Sequence, residues 1–164
     1  MKTFQFTQIV EKLSPNKGSY YFLKIPAEVV DQFDKGRSTR LLCTLEGQIE
    51  YSCGLNHYGD GNFFLILSGR YVKKLKKDIG DSISFEICEH PNPLGVEVPE
   101  VLKVLLGQDP DAKAIYDTLT DGRKRTLIFT IARVKNIDIQ IQKITDFLLQ
   151  EKIKQLKKKR AKGE

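Results

Sequence analysis

The sequence predicts a β half, expected to close as a barrel if its two parts are a duplication, followed by helices, and three observations carry the order of the two halves. From Phe4 to about His90, apolar and polar residues mostly alternate with period two, punctuated by the turn-forming groups Asn16-Lys17-Gly18, Glu46-Gly47 and Gly59-Asp60-Gly61. Pro91-Asn92-Pro93-Leu94-Gly95 then interrupts the chain with residues that neither a helix nor a central strand tolerates. Beyond it the apolar spacing becomes helical. The expected organisation is a barrel domain over residues 1–90, a linker over 91–95, a helical segment over 96–156 and a basic, disordered tail over 157–164.

Strands are expected near residues 3–13, 20–25, 39–46, 49–55, 62–67 and 82–89. The hairpin at Gly47 fixes its own register. A three-residue connection sets Leu45 opposite Ile49, Cys43 opposite Tyr51 and Leu41 opposite Cys53, giving one apolar face, whereas a two-residue loop would mix polar and apolar residues. Two short helices interrupt the strands. Pro26 suits a first turn leading Val29, Val30 and Phe33, and Ser68 caps a helix that turns Val72 and Leu75 inward. A shift of 42 residues sets Tyr21-Phe22-Leu23 on Phe63-Phe64-Leu65, Val29-Val30 on Tyr71-Val72, and Leu41, Cys43, Leu45 on Ile83, Phe85, Ile87. Any two strand-helix-strand segments share part of this pattern, so periodicity alone leaves a true duplication open.

In the helical segment, Pro99 opens a helix with the stripe Val101, Leu102, Leu105, Leu106 and a C-cap at Gly107. Asp109-Pro110 starts a second, with Ala112, Ile115, Tyr116 and Leu119 inward. Thr120 or Asp121 starts a third, facing the core with Leu127, Ile128, Ile131 and Val134. The last carries Ile137, Ile141, Ile144 and Leu148, though Ile137 to Ile141 also alternates as a strand would.

The chain has 164 residues and a net charge of +6, all of it local. Residues 152–164 hold seven basic residues and one acid, leaving 20 of each sign in the rest. No signal-peptide pattern or membrane-length apolar run is present, so a cytoplasmic protein is expected. Cys43, Cys53 and Cys88 are spaced unlike any zinc motif and read as buried reduced thiols.

Tyr21-Phe22-Leu23-Lys24-Ile25-Pro26, Leu45-Glu46-Gly47, Gly59-Asp60-Gly61 with Phe63 to Leu67, Gly80-Asp81-Ser82-Ile83, and Val98-Pro99-Glu100-Val101-Leu102 together carry a resemblance. The chain resembles bacterial proteins that pair an uncharacterised small barrel domain with a YdeI/OmpD-associated, bacteriocin-protection C-terminal segment. The resemblance implies a pseudo-twofold double-split β-barrel, similar in outline to AbrB/MazE-type DNA-binding proteins but with both halves in one chain, and a monomer. Gly80-Asp81 matches that class's turn box, while the first half reads Ser38-Thr39 instead. Where relatives often carry a Trp-Ile pair and an acidic-Thr-Arg triplet, this chain has Thr130-Ile131 and Asp138-Ile139-Gln140.

No nucleophile elbow, phosphate-cradling loop or metal-ligand motif occurs, so neither a catalytic residue nor a cofactor is expected. His57 and Asp60 could form an acid-base pair, yet His57 reads better as an exposed turn residue. The polar loop Gly54 to Gly61 is the first place to seek a ligand, with Asn56, His57, Tyr58 and Asp60, and Tyr20 and Arg40 as neighbours. For nucleic acid the candidates are Arg70, Lys73, Lys74 and Lys77, then Arg123, Lys124 and Arg125, and the tail. The expected function is a binding or interaction module with a link to envelope stress or bacteriocin protection; nucleic-acid binding and a small-ligand or enzyme site are the alternatives.

Overall fold

The computed structural model describes residues 1–163, in two compact units, Met1–Gly95 and Val96–Glu164. The first contains β1 (Thr3–Ile9), β2 (Glu11–Lys12), β3 (Tyr21–Ile25), α1 (Ala27–Val30), β4 (Arg40–Leu45), β5 (Ile49–Gly54), β6 (Asn56–His57), β7 (Phe63–Leu67), α2 (Gly69–Lys74) and β8 (Ser82–Glu89). The strands form two antiparallel four-stranded sheets, ordered β1-β8-β4-β5 and β2-β3-β7-β6. Alternation sends Leu41, Cys43, Leu45, Ile83, Phe85 and Ile87 of one sheet and Leu23, Ile25, Leu65 and Leu67 of the other into a common core. The Gly47 hairpin has the expected register, with Leu45 opposite Ile49, Cys43 opposite Tyr51 and Leu41 opposite Cys53. Glu46 and Gly47 make the turn with φ of 48° and 65°.

The backbone pairing is duplicated. Adding 42 to the residue number carries β3 onto β7 and the starts of α1 and β4 onto those of α2 and β8, and adding 45 carries β1 and β2 towards β5 and β6. Under that operation Phe4↔Ile87 and Ile9↔Ser82 become Ile49↔Leu45 and Gly54↔Arg40. Glu11↔Phe22 and Lys12↔Tyr21 become Asn56↔Phe64 and His57↔Phe63. The pairs Leu23↔Leu65 and Thr44↔Glu86 map onto themselves and so mark a pseudo-twofold axis. The change of offset from 42 to 45 falls in the β2–β3 connection, three residues longer than its counterpart between β6 and β7.

The hydrogen bonding corrects the closed barrel and the single strand over 3–13. The strands form two sheets rather than one continuous cylinder, and the chain passes between them at bends after β1 and after β5. At the first bend Val10 leaves the ladder because its N–H donates to the Asp81 carbonyl (2.8 Å) and its carbonyl accepts the Gly80 N–H (2.9 Å).

The second unit contains α3 (Glu100–Gln108), α4 (Pro110–Asp117), α5 (Asp121–Ala132) and α6 (Ile137–Ala161). Pro99 is the N-cap of α3 and not its first turn, and Gly107 lies inside the helix, which ends at Gln108. Asp109 caps α4, Thr120 caps α5 and Asn136 caps α6, each accepting a backbone N–H with its side chain. Leu102, Tyr116, Leu119, Leu127, Ile128, Ile131, Ile144 and Leu148 are buried. Ile137 and Ile141, expected in that core, instead line an apolar groove of about 870 Å³ with Val101, Val104 and Leu105. The helix α6 runs through Ala161, so Lys157 to Arg160 sit on ordered helix and not in a disordered tail.

Candidate functional site

The Gly54 to Gly61 segment does not gather its polar side chains around one point. Tyr58 lies on Phe22 and Phe64, with centroid separations of 5.5 and 6.3 Å, and the ammonium groups of Lys24 and Lys17 sit 4.4 and 5.1 Å from its ring centre. Asp60 binds Lys24 Nζ at 2.8 Å and accepts the Asn62 N–H at 2.9 Å. These bonds hold the Asp60 carboxyl down at about 2, the Lys24 bond most strongly, and Asp60 in turn raises Lys24. His57 contacts Arg37 and stacks on Phe63. His57 and Asp60 are therefore committed to different partners, and His57, expected as an exposed turn residue, is exposed on β6. Tyr20 packs over Gly18 and is 52% exposed.

The site emerges from comparing the two bends. At the first, Gln8 occupies an inward-phase position after Phe4 and Phe6, and its side-chain amide acts as a short piece of strand. It donates to the Lys24 carbonyl (2.6 Å) and accepts the Lys24 N–H (3.0 Å), completing the β3 edge beyond its pairing with β2. The pseudo-twofold carries Gln8 onto Cys53 and Lys24 onto Ile66. Cys53 has no amide to offer. The Ile66 carbonyl accepts the Tyr51 hydroxyl at 3.2 Å, so the Ile66 backbone faces β5, and its N–H points the same way because both groups of a strand residue share a side.

The second bend also lacks the lacing of the first. Ser38-Thr39 stands where Gly80-Asp81 ties down Val10, and among the described residues the Thr39 hydroxyl is buried, at 6% exposure, with no partner. What remains is a cleft of about 450 Å³ lined by Arg40, Tyr51, Cys53, Asn56, Ile66, Ser68 and Tyr71, among others. Two of the lining residues are aromatic, the Tyr51 and Tyr71 rings lying 5.1 Å apart. Arg40 is seated along glycines: a Cβ at Gly95 would come within 2.8 Å of its Cγ and Nε, and one at Gly54 within 3.4 Å of its Nη1. Burial pushes the Tyr51 phenol and the Cys53 thiol well above their ordinary values, with Cys43 adding to both, so both stay protonated. The cleft thus offers the Ile66 N–H and an aromatic face, with neither a thiolate nor a base at Tyr51 and Cys53.

Of the expected ligand residues, the structure brings Arg40 and Asn56 to this cleft and leaves Tyr20, His57, Tyr58 and Asp60 outside its lining. Tyr51, Cys53, Ser68 and Tyr71 are additions; the signal for them was the polar Gln8 in an apolar phase and its replacement by Cys53 in the second half. Among the basic groups, Arg70 lies 5.5 Å from the Tyr71 ring, Lys73 and Lys74 end α2, and Lys77 donates to the Ser82 carbonyl at 2.7 Å. Arg123 binds Glu151 and sits 4.6 Å from the Phe147 ring, Lys124 lies 5.1 Å from the Tyr116 ring, and Arg125 is half-buried on α5. The α5 cations Arg123 and Lys124 are thus engaged within the helical unit.

The family model described as Domain of unknown function (DUF1905) matches residues 6–87, half of the chain. Residues 95–150 match the family described as Bacteriocin-protection, YdeI or OmpD-Associated. No curated protein matches the chain.

Proposed function

We propose that this chain, which belongs to the DUF1905 family of unknown function, is a non-enzymatic binding module that takes a small ligand in the cleft at the bend after β5. One observation carries the reading: two halves with matching backbone pairing differ at this bend, where the Gln8 amide pairs with the Lys24 backbone in one half and Cys53 offers no such partner to the Ile66 backbone in the other. The Ile66 N–H suits a carboxylate or amide oxygen, and Tyr51 and Tyr71 suit a flat apolar group beside it. Tyr51 and Cys53, both held neutral, support binding over turnover.

The duplicated pairing supports a double-split β-barrel of AbrB/MazE outline, with both halves in one chain. The second match supports a role in bacteriocin protection; a link to envelope stress and a monomeric, cytoplasmic state are part of the same proposal. A thermal-shift screen of small aromatic and aliphatic carboxylates and amides, run on the parent and on Cys53→Gln, tests the site. A ligand at 100 times its dissociation constant should stabilise the parent by about 2.7 kcal/mol. The variant, whose new amide can occupy the Ile66 backbone groups as Gln8 occupies those of Lys24, should not respond. Equal stabilisation of both proteins would contradict this placement.

A further inference from the structure

We propose that the C-terminal half of α6 docks on an anionic lipid surface. Leu149, Ile153 and Leu156 recur at i, i+4 and i+7 and are 54%, 44% and 49% exposed, while Ile144, Leu148 and Glu151 on the opposite side of the same helix are buried. The exposed stripe therefore lies away from the face that packs in the helical unit.

Cations surround it. Lys152, Lys157, Lys158, Lys159 and Arg160 form no ion pair among the described residues, and Lys154 is paired with Glu151 at 3.0 Å. Glu151 is the one acid between residues 147 and 163, and it is 9% exposed and bound to Arg123 at 2.5 Å as well. Burial opposes its ionisation, but Lys154 and Arg123 together lower it below the ordinary carboxylate range, so it remains committed to them. The outward charge of this helix half is of one sign.

An apolar stripe flanked by lysines matches the interface of an anionic bilayer, where the apolar side chains enter the acyl boundary and the ammonium groups reach up to the headgroups. A second copy of the same helix would set like charges against like. A nucleic-acid duplex would meet the cations but leave Leu149, Ile153 and Leu156 in water. Among the described residues no helix is long and apolar enough to cross a membrane, so the attachment proposed is to the surface.

Vesicles of neutral phosphatidylcholine, alone or with anionic phosphatidylglycerol, and a short DNA duplex test the proposal with the full chain. The parent should co-sediment with anionic vesicles and not with neutral ones. Replacing all three stripe residues (Leu149→Gln, Ile153→Gln, Leu156→Gln) should lower that partitioning about tenfold or more while leaving the helical circular dichroism intact. The chain has no tryptophan, so an Ile153→Trp variant provides a single emission band that should shift to the blue on anionic vesicles. Unchanged partitioning of the triple variant, or an unshifted Trp emission, would reduce the effect to tail charge and overturn the proposal. So would DNA binding that the triple variant loses, or a parent dimer that the triple variant dissolves.

Discussion

Gln8→Ala removes the one side chain that bridges the first bend, and its cost can be worked from two hydrogen bonds. The amide donates to the Lys24 carbonyl at 2.6 Å and accepts its N–H at 3.0 Å. Each such bond has a net worth of about 1 kcal/mol. Gln8 and Lys24 line an open depression with Ile9, Glu11 and Pro26, so water can replace the lost partner and the full penalty of a buried orphan does not apply. The expected loss is therefore about 2 kcal/mol, which for a unit of this size lowers its melting temperature by about 10 °C. Urea unfolding followed by tyrosine fluorescence reads the first unit well, since it holds Tyr20, Tyr21, Tyr51, Tyr58 and Tyr71, five of the six tyrosines. Gln8→Glu can still accept from Lys24 N–H but cannot donate, and should fall between parent and alanine. A loss below about 0.5 kcal/mol for Gln8→Ala would show that the Val10 bonds to Gly80 and Asp81 hold the bend alone, and would refute the role assigned to the amide.

Other consequences follow from the same geometry. The Asp60 carboxyl, held from its ordinary 3.8 down to about 2, should titrate by NMR near the lower value. Because its folded value is the depressed one, its contribution to stability is present above about 3.8 and lost as pH falls towards 2; Asp60→Asn should lose less stability than the parent over that window. Burial pushes Cys43 up to about 12 and raises Cys53 and Cys88, but only Cys88 is half-exposed, so one thiol should react with a disulfide reagent in the native protein and two more only on unfolding. Gly95→Ala should destabilise the first unit by about 1–2 kcal/mol in urea titrations, because a left-handed φ of 75° and contact with the Arg40 stem both resist a Cβ.

The strands and the Gly47 register were legible because period-two alternation names one buried face, and only one register keeps Leu41, Cys43 and Leu45 opposite apolar partners. The bends at Val10 and Leu55 were not. The alternation continues through Val10, and its departure depends on Gly80 and Asp81, residues distant in sequence. The helix caps Ser68, Asp109 and Thr120 could be read locally, as caps satisfy backbone groups within a turn of themselves. Ile137 and Ile141 share the spacing of Ile144 and Leu148, but nothing in that spacing reports where the neighbouring helix ends. The candidate site was half legible. A polar loop points to binding in general, and Arg40 and Asn56 do reach the cleft, whereas Tyr58 and Asp60 are held by Phe22, Phe64 and Lys24. What distinguishes the second bend is a difference between equivalent residues of the two halves, Gln8 and Cys53, which only the pairing aligns.

The most direct measurement is an amide ¹H–¹⁵N spectrum of the parent and of Cys53→Gln, each titrated with a ligand found by thermal shift. In the parent the Ile66 N–H should move most, with Asn56 and Ser68 beside it, while Lys24 at the bend bridged by Gln8 stays still, and Cys53→Gln should show no response. Perturbations centred on Tyr58 and Asp60, or an unchanged Ile66 N–H at saturation, would contradict this placement.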